Sequence, residues 1–230
     1  MKPTTILLDA GGVIIDESEQ EEIRAEVAVE ILRQAVPGYT LGTYWPDIEE
    51  AVRCFCPRTY EYVFWKHLKD DRPLFDSLYA AYSAIWKERT PSLKLVAGFA
   101  REVASIARRS SIGIAGQYGR DMLDLLEEES LLQHFTYRFT QDDFSITKPD
   151  PRYYEQIART CGVEPQECIM VGDRIDKDVI PAKQLGMGTV RIRVGLHRNQ
   201  QPRIPFEAPD EELESIAGLA EAVFRIAEQR

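Results

Sequence analysis

The chain has 230 residues, of which 44% are hydrophobic, enough for one good core or for a core with a smaller appended domain. Its net charge of −10 argues against nucleic acid or an anionic membrane as the main partner. The sequence shows no apolar run long enough for a signal-peptide core or a membrane span, so we expect a cytoplasmic protein.

The first predicted element is a buried strand that ends in a carboxylate and two glycines. Residues 6–8 form a β-prone apolar run, typical of a strand buried on both faces of a parallel sheet. Asp9 follows at the carboxyl end of this strand, where ligands collect in open α/β sheets. Gly11 and Gly12 allow a sharp turn close to a ligand. Taken alone, the stretch is explained equally well by an ordinary Asp-Gly turn.

A block of helices is predicted next. Apolar residues recur at helical spacing over residues 21–36, and Pro37 and Gly38 end that helix. Further helices are predicted over residues 47–56, 60–68 and 75–86. Because no strand signal lies between Asp16 and Thr90, we interpret residues 16–90 as an all-helical cap inserted into a core domain of residues 1–15 and 91–230.

After Pro91 the pattern alternates between helices and strands. Helices are predicted over residues 94–109, 121–129, 151–161 and 178–185, and strands over residues 111–115, 135–140, 168–171 and 189–194. Residues 199–209 are predicted as a loop and residues 210–229 as a closing helix. Strands separated by helices imply right-handed crossovers and a parallel sheet covered on both faces. The predicted fold is therefore a doubly wound α/β core with a helical cap.

Two further groups of polar residues are predicted at strand ends. Asp173, Asp176 and Asp178 follow a buried strand, and such clustered carboxylates repel one another unless a cation is present. Lys148 precedes a proline-fixed helix start, where its charge could meet a phosphate or a carboxylate. Considered singly, a solvated acidic turn and a surface lysine remain open as interpretations.

Taken together, these residues resemble the haloacid dehalogenase superfamily of aspartate-nucleophile phosphohydrolases. The most specific part of the resemblance lies in the following segments. They are Lys148-Pro149-Asp150-Pro151, Val171-Gly172-Asp173, Asp178, Ala182-Lys183 and Gly186-Met187. The helical block is similar to the cap that the phosphoglycolate phosphatase and dehalogenase-like branches insert after the first strand.

The resemblance implies a Mg²⁺-dependent phosphohydrolase that acts on a small phosphorylated metabolite. Asp9 would attack phosphorus and also bind the metal, together with the Gly11 carbonyl and Asp173. Asp178 would support the metal site, and Lys148 would neutralise charge between nucleophile and phosphoryl group. The oligomeric state is left open between monomer and homodimer.

Two positions depart from the family pattern. Gly11 stands where phosphatases of this superfamily carry the aspartate that protonates the leaving group and later activates water. General acid–base catalysis is typically worth a factor of about 10² to 10⁴, or roughly 3 to 5 kcal/mol of barrier. The usual phosphate-binding Ser or Thr falls on Ala115 or Gly116, so we expect phosphate contacts from the Ala115 and Gly116 backbone, the Gln117 amide and Lys148.

Three functions remain open on this sequence. The first is a weak or specialised phosphohydrolase for substrates with good leaving groups such as acyl phosphates. The second is a catalytically silent binding or regulatory protein that retains the metal site. The third is a phosphonatase-like hydrolase, because that branch carries a small residue at the Gly11 position, although neither Lys66 nor Lys69 is identified as its Schiff-base lysine.

Overall fold

A five-stranded parallel sheet forms the centre of the computed structural model, which describes residues 4–230. The strands are β1 Thr5–Leu8, β2 Ser111–Ile114, β3 Cys168–Gly172, β4 Gly188–Ile192 and β5 Glu211–Leu213. Their order in the sheet is β2-β1-β3-β4-β5, and all neighbouring pairs are parallel.

Nine α-helices accompany the sheet in the described part of the chain. They are α1 Ser18–Leu32, α2 Leu41–Arg53, α3 Thr59–Leu68, α4 Arg72–Arg89, α5 Phe99–Ile106, α6 Arg120–Glu128, α7 Pro151–Cys161, α8 Ile180–Gln184 and α9 Leu219–Glu228. None of the described helices is both long enough and apolar enough to cross a membrane.

The chain divides into two compact units. One comprises the described residues up to Asp16 together with Leu93–Arg230, and it contains the sheet and helices α5–α9. The other is Glu17–Ser92, which contains helices α1–α4. Within this helical unit α1 packs on α4 and α2 packs on α3, around buried side chains that include Leu32, Val63 and Phe64.

The sheet is covered on both faces because successive side chains of each strand point to opposite sides. Ile6 and Leu8 pack into the cluster that includes Val223 of α9, whereas Leu7 packs into a second cluster with Ile157 of α7. This arrangement confirms the predicted doubly wound α/β fold.

Strand register aligns the carboxyl ends of three neighbouring strands, β2, β1 and β3. Leu8 of β1 pairs with Ile114 of β2 and with Val171 of β3. The residues that follow these strands therefore emerge at one edge of the sheet, although they are far apart in sequence. That edge carries the candidate site.

Two sequence-based predictions in the sheet unit are wrong. Residues 135–140 do not form a strand, because only Tyr137 makes a bridge to the sheet, to Gly113. Residues 210–229 are not one helix: β5 comes first, and α9 starts after Gly218 at φ 85°. The Asp210 carboxylate accepts hydrogen bonds from the Thr189 backbone and hydroxyl, which fixes this segment beside β4.

Helix boundaries also differ from those predicted. Helix α2 starts at Leu41, six residues before the predicted position 47, and includes Pro46. The predicted helix over residues 94–109 is reduced to α5 because Leu95 instead forms an antiparallel bridge with Ile15. A proline tolerated inside the helix accounts for the first difference, and the bridge between Leu95 and Ile15 accounts for the second.

Candidate active site

Asp9 lies directly after β1 at the carboxyl edge of the sheet. Its backbone N–H donates to the Val171 carbonyl at 2.8 Å, which continues the pairing with β3 by one residue. The turn that follows contains Gly12 at φ 69°, where an added Cβ would lie 3.0 Å from Val194 Cγ2 and 3.3 Å from Asp173 Cβ. A glycine is therefore needed for this turn to pack against the Asp173 loop.

Lys148 connects two of the predicted carboxylates. Its Nζ donates to Asp9 Oδ1 at 2.7 Å and to Asp178 Oδ1 at 2.7 Å, and its side chain is only 3% exposed. The Lys148-Pro149 peptide is cis, and α7 starts two residues later with Asp150 as its N-cap. The lysine is thus a buried component of the site and not a surface charge.

Asp178 is positioned by a π-helical turn, Ile175–Val179, which precedes α8. Its Oδ2 accepts the Arg174 backbone N–H at 3.0 Å, and its Oδ1 also accepts the Tyr154 hydroxyl at 3.1 Å. A Cβ on Gly172 would lie 2.3 Å from Asp178 Cγ, so only glycine permits this approach. Such turns are often found at functional sites.

The site residues fit a hard divalent cation. Carboxylate oxygens of Asp9, Asp173 and Asp178 lie within 4.8 Å of one another, and all three residues are buried or half-buried. Burial, opposed by Lys148 and assisted by Asp178, raises the pKa of Asp9 to about 6. Burial disfavours the charge of Lys148, but attraction to Asp178 and Asp9 outweighs it and raises the lysine pKa. Three carboxylates beside one ammonium group provide the oxygen ligands and the net negative charge that suit Mg²⁺.

A buried arginine that the sequence analysis did not identify holds the loop after β3, which carries Asp173. Arg191 on β4 donates from Nε to the Asp173 carbonyl at 3.2 Å, and from its terminal nitrogens to the His197 carbonyl at 2.7 Å and the Gln200 carbonyl at 2.9 Å. Its side chain is 1% exposed. The sequence feature that could have identified Arg191 is the presence of an arginine inside the buried strand over residues 188–192, because a buried charge needs partners.

Gln200 provides a second connection to the same loop. Its Oε1 accepts the Ile175 backbone N–H at 2.7 Å, and its Nε2 donates to Asp176 Oδ1 at 2.9 Å. Asp176 also forms a 2.7 Å ion pair with Arg174. Asp176 therefore stabilises the loop from within, whereas Asp173 and Asp178 take part in the carboxylate cluster.

The predicted phosphate contacts lie at the end of β2. The Ala115 N–H donates to the Leu8 carbonyl at 2.7 Å, so it is engaged in the sheet. At Gly116, an added Cβ would lie 2.4 Å from Ala10 Cβ and 2.5 Å from the Ala10 backbone nitrogen. The close approach of these two loops leaves no room for a serine or threonine at position 116. Gln117, half-buried, follows at the same edge.

Comparisons with known proteins give a consistent family. The model of the haloacid dehalogenase-like hydrolases matches residues 3–186. Glyceraldehyde 3-phosphate phosphatase of Methanopyrus kandleri is 36% identical over 97 residues, which are 42% of each chain. (S)-2-haloacid dehalogenase 4A of Burkholderia cepacia is 24% identical over 223 residues, which are 93% of this chain and 88% of the relative. The matched residues span 42% of the length of the Methanopyrus kandleri enzyme, and 27% and 31% of the lengths of two further curated relatives.

Solved structures share the fold over nearly the whole chain. A magnesium-bound HAD hydrolase of Bacillus subtilis has a TM-score of 0.67 at 17% identity, with 99% of both chains covered. A predicted phosphoglycolate phosphatase of Haemophilus somnus has a TM-score of 0.69 at 14% identity, covering 97% of this chain and 99% of the other.

Proposed function

The chain belongs to the haloacid dehalogenase-like hydrolases, and from this premise we propose that it is a Mg²⁺-dependent phosphohydrolase with Asp9 as its nucleophile. The observation that carries the proposal is the position of Lys148, which lies 2.7 Å from both Asp9 and Asp178 beside the carboxylate cluster. Phosphatases of small phosphorylated molecules among the relatives support a substrate of that class.

In the proposed reaction an Asp9 carboxylate oxygen attacks phosphorus and the leaving group departs with the electron pair of its bond to phosphorus. Water then hydrolyses the aspartyl phosphate, which restores the Asp9 carboxylate and releases inorganic phosphate. Lys148 holds Asp9 in place and offsets negative charge beside it. Asp9, Asp173, Asp178 and the Gly11 carbonyl would hold Mg²⁺, which when bound would stabilise charge on the phosphoryl oxygens.

The side chain at position 11 restricts the leaving group. Glycine cannot donate a proton to a departing alkoxide or take one from the attacking water. We therefore propose substrates whose leaving group departs as a weak base, such as acyl phosphates. For alkyl phosphate esters the same site lacks about 3 to 5 kcal/mol of transition-state stabilisation.

The test is phosphate release from acetyl phosphate and from a panel of alkyl phosphate esters, with and without Mg²⁺. We expect Mg²⁺-dependent release that is faster for acetyl phosphate, after subtraction of its spontaneous hydrolysis. Asp9→Asn should abolish the release. Asp124→Asn, which changes a 55% exposed carboxylate on α6, should not alter it. Absence of release from every substrate would exclude the proposed activity.

A second candidate function is a catalytically silent member that retains the metal site as a binding or regulatory protein. Two observations favour it: position 11 lacks the acid–base carboxylate, and position 116 has no room for a phosphate-binding hydroxyl. The two candidates differ in the effect expected of Gly11→Asp, which would restore activity only to a scaffold that is otherwise competent.

A further inference from the structure

The four cysteines of the chain fall into two pairs with different surroundings. Cys161 and Cys168 are buried in the sheet unit, and burial raises the pKa of these thiols to about 11 and about 12. Cys54 is exposed and Cys56 is half-buried, both in the connection between α2 and α3 of the helical unit. Because the thiolate is the reactive form and solvent must reach it, we expect thiol chemistry at the second pair.

The chain from Cys54 to Cys56 forms a hydrogen-bonded turn at the end of α2. The Cys56 N–H donates to the Ala51 carbonyl at 2.9 Å, and the Phe55 N–H donates to the Val52 carbonyl at 3.1 Å. These two bonds, with Phe55 at φ 55°, define the Schellman motif that ends many helices. Glycine usually takes the left-handed position, because a side chain there is unfavourable. The two hydrogen bonds therefore hold a turn that its central residue disfavours.

This turn sets the separation of the two cysteines. Residues two apart along a helical path, left- or right-handed, have Cα atoms about 5.4 Å apart. Disulfides usually join Cα atoms about 4.4 to 6.8 Å apart, whereas an extended chain would separate the same residues by about 6.6 to 7.2 Å. The left-handed conformation of Phe55 therefore brings the backbones of Cys54 and Cys56 within the range of a disulfide.

The contacts of Cys56 leave its sulfur able to react. Its Sγ donates to the Arg58 carbonyl at 3.7 Å, and Arg58 is the N-cap residue of α3. The Thr59 hydroxyl donates to the Cys56 carbonyl at 3.4 Å. A thiol is a weak donor, so the contact of Sγ with the Arg58 carbonyl is little hindrance to a covalent bond. The same two contacts keep Cys56 between the end of α2 and the start of α3.

We propose that Cys54 and Cys56, brought together by the Phe55 turn, form a redox-active dithiol that closes to a disulfide by exchange with a low-molecular-weight disulfide. The thiolate of one cysteine attacks a sulfur of the small disulfide, which forms a mixed disulfide and releases one small thiolate. The thiolate of the other cysteine then attacks the protein sulfur of the mixed disulfide and releases the second small thiolate. The protein thiols give up two protons and two electrons, and the small disulfide takes up both as two thiols.

The closed form should be reversible and should change the connection between the two helices. Exposed disulfides are the labile ones, and Cys54 is exposed. Closure also removes the hydrogen that Cys56 Sγ donates to the Arg58 carbonyl. Oxidation therefore cross-links the end of α2 to the connection and removes one contact at the start of α3.

The experiment treats the folded full chain with oxidised glutathione, blocks the remaining thiols and maps the peptides by mass spectrometry. We expect a disulfide between Cys54 and Cys56, in a peptide that is two hydrogen atoms lighter and carries no glutathione. Excess reduced glutathione should reopen it. Cys54→Ser and Cys56→Ser should each retain one glutathione on the remaining cysteine, because no second thiol displaces it. Cys161 and Cys168 should stay as thiols until the chain is unfolded in urea, which makes them internal controls.

Three results would overturn the proposal. Glutathione retained on both Cys54 and Cys56 of the natural chain would show that the turn does not let their sulfurs meet. Absence of any reaction at this pair would show that the thiols are not accessible. Reaction at Cys161 or Cys168 before Cys54 and Cys56 would place the reactive thiols elsewhere. The readout does not involve turnover, and Asp9→Asn should form the same disulfide, so failure of the hydrolase proposal leaves this result intact.

Discussion

Gly11 and Gly116 differ in whether a reactive side chain can be introduced at each position. Gly11 is not among the described residues at positive φ, so its backbone is open to other amino acids. Gly116 contacts Ala10 so closely that a Cβ would overlap both its side chain and its backbone. The missing proton donor can therefore be tested by substitution, whereas a hydroxyl side chain cannot be introduced at position 116.

Gly11→Asp should increase the rate of alkyl phosphate hydrolysis by a factor of about 10² to 10⁴, because the new carboxyl group can protonate the leaving alkoxide. Steady-state phosphate release from an alkyl ester measures this change. Gly11→Asn is the matched control, since it has a similar size without the acid–base group. An equal rate in Gly11→Asp and the natural chain would favour the catalytically silent alternative.

Glu21 should make the folded state less stable as pH rises. Its pKa is raised by burial from an ordinary 4.5 to about 7, so the stabilising proton is fully bound below pH 4.5 and is lost as pH rises through 7. Between pH 5 and 8 the natural chain should lose up to about 3 kcal/mol of unfolding free energy relative to Glu21→Gln.

Urea unfolding at several pH values measures the difference between these two chains. Glu26→Gln, an exposed change on the same helix, should follow the natural chain at every pH. Parallel pH profiles for the natural chain and Glu21→Gln would mean that Glu21 ionises as an ordinary surface carboxylate does.

Between elements, the structure explains how a short loop holds several like charges. The loop after β3 is fixed by a side chain from the adjacent strand, Arg191, and by Gln200 from a turn beyond that strand. Both act on the loop backbone, and Gln200 also binds Asp176. The carboxylates of the candidate metal site are thereby oriented before any cation binds, as outer partners do in other metal sites.

Gln200→Leu should weaken this support, because it leaves the buried Ile175 N–H without its acceptor and Asp176 without one donor. We expect a loss of about 1 to 3 kcal/mol in unfolding free energy and, if the metal site is as proposed, about tenfold weaker half-saturation by Mg²⁺. Urea unfolding and Mg²⁺ titration of phosphate release measure the two effects. Gln201→Leu, at the exposed neighbouring position, is the control; weakening of the same size in that variant would rule out a specific role for Gln200.

Long periodic elements were predictable from sequence, and short ones were not. The predicted helix over 151–161 agrees in both bounds with α7, since Asp150 and Pro151 provide a clear start. Strand β5 was missed because Glu211–Leu213 has no apolar run, being a three-residue edge strand fixed by Asp210 and its pairing with β4. Pro46 hid the start of α2 because proline normally argues for a helix boundary.

In the molecule as a whole, the carboxylate site was predictable because parallel topology brings the ends of distant strands together. Asp9, Lys148 and Asp178 were singled out in the sequence, and the structure places them in direct contact. Arg191 and Gln200 were not predictable in this way. Their significance depends on partners in other loops and turns, which hydrophobic periodicity does not specify.

Acid-quenched mass spectrometry of the chain mixed with acetyl phosphate and Mg²⁺ would detect phosphoryl transfer to Asp9 without relying on turnover. Because Gly11 provides no base for the attacking water, we predict that the aspartyl phosphate accumulates and that peptide mapping locates one phosphoryl group on Asp9. Omission of Mg²⁺ or the change Asp9→Asn should remove that group. Hydrolysis of acetyl phosphate without any phosphoryl group on Asp9, or with unchanged activity in Asp9→Asn, would contradict the account.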